Sequence, residues 1–153
     1  MTSSFWIAVI VTGLAAAVLS GLTLMTLALV KDRSPVAPFN ATSQWIFGPR
    51  AAAVSDVRLA ETGVGLGTQV ASAILWGGVM VVAVQMTGIT GTGATILLGL
   101  GVAALALILD YGLLPRRISP GWHLVLPWWA VVVGFVALGL GLGLGAAGSV
   151  GAG

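Results

Sequence analysis

Four long stretches, at about 5–30, 62–86, 92–113 and 122–148, hold a single carboxylate between them, Asp110, and no lysine or arginine. In lipid every backbone N–H and C=O must find its partner within the protein, and a helix meets that demand within one segment. At 1.5 Å rise per residue, about 20 residues cross a hydrocarbon core of roughly 30 Å. The predicted fold is therefore an all-α integral membrane protein. Its single domain has four transmembrane helices and a short interfacial helix in a cytoplasmic loop over 31–61. Composition agrees: 58% of residues are hydrophobic and 7% charged, whereas a soluble domain carries about a quarter charged residues. The first run lacks a basic n-region and exceeds a signal-peptide core, so it reads as a helix that stays.

Charge sets the orientation. Lys31, Arg33, Arg50 and Arg58 lie in the first connection, and Arg116 and Arg117 in the third. By the positive-inside rule both connections are cytoplasmic and both termini periplasmic, which suits a bacterial inner membrane. A net charge of +2 from so few groups forms no basic stripe, so no nucleic-acid partner is expected. Cysteine is absent, which removes disulfides and thiolate chemistry.

Small residues repeat at four-residue spacing in three spans: Gly13, Ala17 and Gly21; Gly63, Gly67 and Ala71; Gly141 and Gly145. Such strips let helix backbones approach closely, although small residues are also common in spans without that use. The run Gly139-Leu140-Gly141-Leu142-Gly143-Leu144-Gly145 alternates like a strand. A lone strand in lipid is unpaired, so it reads as a helix with two glycine ridges, 141/145 and 139/143.

The first connection reads Ser34-Pro35-Val36-Ala37-Pro38, then Phe39 to Gly48-Pro49. Asn40 or Thr42 is expected to cap a short helix that Gly48-Pro49 ends, with Trp45, Ile46 and Phe47 at the membrane interface. A further helical piece is expected over about 51–60. Asn40-Ala41-Thr42 fits a glycosylation sequon, which is meaningless on a cytoplasmic bacterial loop.

Candidate chemistry is sparse. His123, the one histidine, reads as a porphyrin, pigment or metal ligand, or as an interfacial residue; with only Asp110 to join it, the interfacial reading is preferred. Asp110 is either an intramembrane functional acid or the partner of Arg116 and Arg117 across the helix end, which is the simpler account. Gln69, with Thr68 and Ser72, either lines a polar path or hydrogen-bonds to a neighbouring helix. Of the tryptophans, Trp6, Trp45 and Trp122 suit interfacial belts. Trp76, Trp128 and Trp129 suit lipid or helix packing, with a quinone or pigment as the alternative. Gly63-Val64-Gly65-Leu66-Gly67 lacks the lysine and preceding strand of a nucleotide site.

Pro38-Phe39-Asn40-Ala41-Thr42-Ser43-Gln44-Trp45, Gly48, Ala51-Ala52, Asp56, Thr62-Gly63 and Trp76 resemble a group of small bacterial four-helix inner-membrane proteins. Asp110-Tyr111-Gly112-Leu113-Leu114-Pro115-Arg116-Arg117-Ile118-Ser119-Pro120-Gly121 is similar to their third connection. The resemblance implies the four-span fold and brings no activity with it. Members of the group carry histidines early in the second span and an acid near its far end. Here Thr68 and Gln69 stand in that region and the far end has no acid.

The expected function is a non-catalytic accessory or structural subunit, with no cofactor, packing onto other membrane subunits or copies of itself in the lipid bilayer. The alternative is a small transporter or channel using Gln69, Ser72 and Thr68. A pigment- or haem-binding subunit using His123 is the third reading.

Overall fold

The computed structural model describes residues 3–150. Among them are six α-helices and no strand: α1 Ser3–Val30, α2 Ala37–Thr42, α3 Gln44–Phe47, α4 Leu59–Thr87, α5 Thr92–Ile108 and α6 Trp128–Val150. Four helical segments are long and apolar enough to cross a membrane: Ser3–Val30, Leu59–Thr87, Thr92–Leu113 and Trp128–Ser149. The described residues divide into two compact units, 3–20, 70–106 and 135–150 in one, 21–69 and 107–134 in the other. All six basic and all four acidic side chains belong to the second unit.

The first unit is held by backbone-close helix contacts. Residues two apart on a helix point about 200° apart, so the alternating glycines of α6 form two nearly opposite faces. A Cβ at Gly141 would stand 2.5 Å from the Cα of Ala16, and one at Gly145 would stand 2.7 Å from the Cα of Thr12, both in α1. On the other face, Cβ atoms at Gly139 and Gly143 would meet the Gly99 carbonyl at 2.9 Å and the Ile96 Cα at 2.5 Å, both in α5. The expected ridges are thus both occupied, one by each neighbour. The most hydrophobic window of α6 is 67% buried, against 28% for the third span, which marks α6 as the enclosed helix.

Contact between α1 and α4 follows the same rule. Gly13 lies against the backbone of Ile74, and a Cβ at Gly77 would stand 2.7 Å from the Val9 carbonyl. The buried face of α4 carries Gly65, Gln69, Ala73 and Gly77, at four-residue spacing. Gly63, Gly67 and Ala71, the strip read from the sequence, are exposed and take no part in this contact. The Gly63–Gly67 alternation offers two faces about 200° apart, and burying the amide of Gln69 selects the other one.

In the second unit, α1 ends with Asp32 in the left-handed region (φ 52), and the Arg33 N–H reaches back to the Ala28 carbonyl at 2.9 Å. This is the closure that a glycine usually permits. Every residue of α2 is buried, and Ser43 separates it from α3. Gly48, at φ 75, ends α3 as expected. The cap assignment is corrected: Asn40 and Thr42 sit inside α2 rather than before it. The helix expected over 51–60 is a 3₁₀ turn, Pro49–Ala53, followed by non-helical chain up to Leu59.

Past α5 the chain widens into a π-helical turn, Leu109–Leu113, and leaves it at Leu114 in an extended conformation. The last span also begins later than expected. Trp122–Leu124 is a separate 3₁₀ turn, and α6 starts at Trp128, with the Pro127 carbonyl accepting from Ala130 (2.9 Å) and Val131 (3.2 Å). A proline disfavours helix in the residue before it, so Pro127 marks the start of α6 rather than a kink within it.

Replacing Gly143 by valine is expected to lower stability by about 1–3 kcal/mol or more, the cost of overpacking a filled site. Gly101→Ala, with open space around the new Cβ, is expected to cost nothing. Thermal unfolding midpoints of the two variants in one detergent check the contrast.

Candidate functional site

Polar chemistry in this chain collects in the second unit, where the short helices of the first connection meet the third. Asn40 is fully buried, and its side-chain amide organises the turn around it. Its Nδ2 donates to the carbonyls of Val54 (2.9 Å) and Asp56 (3.1 Å), while Thr62 Oγ1 donates to its Oδ1 (2.7 Å). The Arg58 N–H completes the set by donating to Thr62 Oγ1 at 3.0 Å. The chain from 54 to 58 is therefore held open by a side chain that supplies the partners a helix would have supplied. Asn40 is a structural residue here.

Gln44 does the same across the two connections. Its Nε2 donates to the carbonyls of Ser119 (2.8 Å) and Arg116 (3.0 Å). Gly121 lies beside it at φ 74, where a Cβ would stand 2.6 Å from the Ala41 carbonyl, so both conformation and space demand glycine. Trp122 is buried, and its Nε1 donates to Thr42 Oγ1 at 3.0 Å. The interfacial role expected of Trp122 is thereby corrected: an indole whose N–H finds an internal partner can enter the core. Trp45 remains half exposed, with its Nε1 donating to Thr68 Oγ1 at 3.1 Å.

His123 stands in an aromatic group. Its ring stacks on Trp128 (centroids 5.7 Å apart, 18° between planes) and meets the edge of Tyr111 at 5.3 Å. Its Nδ1 is shielded and has no hydrogen-bond partner. Burial pushes its pKa below the ordinary value, and the positive charge of Arg116 adds to the shift.

His123 and Leu124 border two clefts. One, of about 590 Å³, is lined by Arg50, Arg116 and Arg117 together with Gln44, Ile46 and Phe47. The other, of about 450 Å³, is lined by Lys31 and Arg33 with Val125 to Pro127 and Trp129. Arg50 is steadied by its own Nε–H, which donates to the Phe47 carbonyl at 3.1 Å. Lys31 Nζ stands 5.2 Å from the ring centroid of Trp129. No carboxylate lines either cleft.

Of the residues singled out from the sequence, Arg116, Arg117 and His123 come together around the first cleft. Asp110 does not join them as a partner. Among the described residues Arg58 and Glu61 form the only ion pair, at 4.0 Å. The expected link from Asp110 across the helix end to Arg116 or Arg117 does not form, because the chain leaves the turn at Leu114 in an extended conformation. The polar group of α4 is dispersed: Thr68 holds Trp45 and donates to the Val64 carbonyl, Gln69 is buried and Ser72 is exposed. Among the described residues no three of His, Cys, Asp and Glu converge as a metal site would require. Arg50 and Gln44, assigned no such role from the sequence, are the additions; the only sign of Gln44 is an amide just before the apolar run Trp45-Ile46-Phe47. Compared with models of protein families, with curated proteins and with solved structures, the chain finds no match.

Asn40→Ala strands two carbonyls and a hydroxyl, so a loss of about 1–3 kcal/mol is expected. Faster proteolysis within 54–58 than in the unaltered protein reads it out. For His123, the unfolded chain binds more protons than the folded one between the lowered pKa and 6.5. Stability should therefore be full above that window and fall as pH drops through it. Unfolding midpoints at pH 7.5 and pH 5 are expected to differ less in His123→Asn.

Proposed function

We propose that the chain is a non-catalytic, multi-pass subunit of a bacterial inner membrane that packs against a helix of another subunit, or of a second copy, through the outward face of α4. The carrying observation is that Gly63 and Gly67 are exposed, and a Cβ at either would meet nothing within 4 Å. Gly13, Gly21, Gly141 and Gly145, the comparable positions on α1 and α6, are buried inside the chain. A bare glycine face lets a second backbone approach within van der Waals contact, and in lipid such contact is a main source of helix association. Further support comes from chemistry: one histidine, no cysteine and four carboxylates leave little with which to build a catalytic centre. The confinement of all six basic residues to the first and third connections supports a topology with both connections in the cytoplasm and the termini in the periplasm.

Mass measurement after purification in mild detergent tests this reading. A mass above that of the monomer, returning to the monomer in Gly67→Leu, is expected. An unaltered chain that runs as a lone monomer would overturn it.

A further inference from the structure

Five of the six basic residues line the two clefts beside His123 and Leu124, and none of the five has an ion-pair partner among the described residues. Arg58, the sixth, is paired with Glu61 and lies in neither cleft. Asp32, between Lys31 and Arg33 in the sequence, lines neither cleft. Gathering like charges without a carboxylate is unfavourable unless an anion neutralises them. Arginine forks match the oxygens of phosphate, to which they donate in pairs. The walls are apolar as well: Ile46, Phe47 and Leu124 in one cleft, Leu126, Pro127 and Trp129 in the other. Trp129 and Ile46 are half exposed. A ligand that fits such walls carries an anionic head and a hydrophobic body.

We propose that the clefts on either side of His123 and Leu124 bind phosphate-bearing anions, with Arg50, Arg116 and Arg117 holding one phosphate and Lys31 and Arg33 a second. The hydrophobic walls favour the headgroup of an anionic phospholipid over free phosphate, and basic pockets at helix ends are suited to such headgroups. The Arg50 guanidinium is preset for the task by its bond to the Phe47 carbonyl. Gln44, through its bond to the Arg116 carbonyl, fixes the backbone from which Arg116 projects. This site stands whether or not α4 packs against a partner.

Native mass spectrometry of the full chain in neutral detergent tests it, with short-chain phosphatidylglycerol, short-chain phosphatidylcholine and inorganic phosphate titrated separately. Saturable binding of phosphatidylglycerol is expected, and little of phosphatidylcholine. Arg116→Gln should weaken it by about tenfold or more, the loss of one hydrogen bond to a charged group. Arg58→Gln removes the same charge outside the clefts and should leave binding unchanged. Competition by inorganic phosphate, at a similar affinity, would make free phosphate the source and keep the site. Equal weakening by Arg58→Gln and Arg116→Gln would reduce the effect to net charge and overturn the proposal. So would equal binding of phosphatidylcholine, or no saturable binding of either anion.

Discussion

Lipid gives two helices no hydrophobic reason to associate, because a leucine gains nothing by leaving acyl chains for another leucine. What remains is close contact between backbones, and α6 depends on it throughout. Its glycines admit α1 on one side and α5 on the other, at separations that one methyl group would forbid. Leu142, between those faces, is completely buried. The rest of the first unit inherits its geometry from this arrangement, and α1 repeats the device towards α4 with Gly13 and Gly77.

The second unit obeys the complementary constraint. Where the chain is not helical, its carbonyls and N–H groups need other partners. Asn40 and Gln44 donate to such carbonyls and Thr62 accepts from such an N–H, each outside its own segment, while Trp122 ties the third connection to the Thr42 side chain. The amides of Asn40 and Gln44 are thus used to satisfy irregular backbone. Five of the six basic side chains are different, because they line clefts that hold no carboxylate; Arg58 pairs with Glu61.

Much of this architecture could be read from the residues. Span number, the two glycine ridges of α6 and the stop at Gly48 follow from hydropathy, from periodicity and from the conformational range of glycine. The helix face used by α4 did not follow. Gly63-Val64-Gly65-Leu66-Gly67 presents glycine on two faces, and only the burial of Gln69 separates them. The start of α6 was obscured because Trp122 to Leu126 is apolar apart from His123, so hydropathy alone runs through Pro127. The placement of Trp122 depended on a hydroxyl 80 residues earlier, Thr42. The clefts were hidden for the same reason, since Arg50 and Arg116 are joined by tertiary structure and not by spacing.

Long separations in sequence also fix an order of events during biogenesis. The amide of Gln44 bonds to carbonyls 72 and 75 residues further on, and Thr42 waits for an indole 80 residues away. Until the third connection leaves the ribosome, the Gln44 amide lacks its two carbonyl acceptors and the Thr42 hydroxyl lacks its indole donor. The Asn40 network can close within the first connection and the start of α4, but the bonds of Gln44 and Thr42 to the third connection form only when that connection arrives. A chain interrupted before Ser119 would present an unfinished surface to whatever quality control surveys the bilayer.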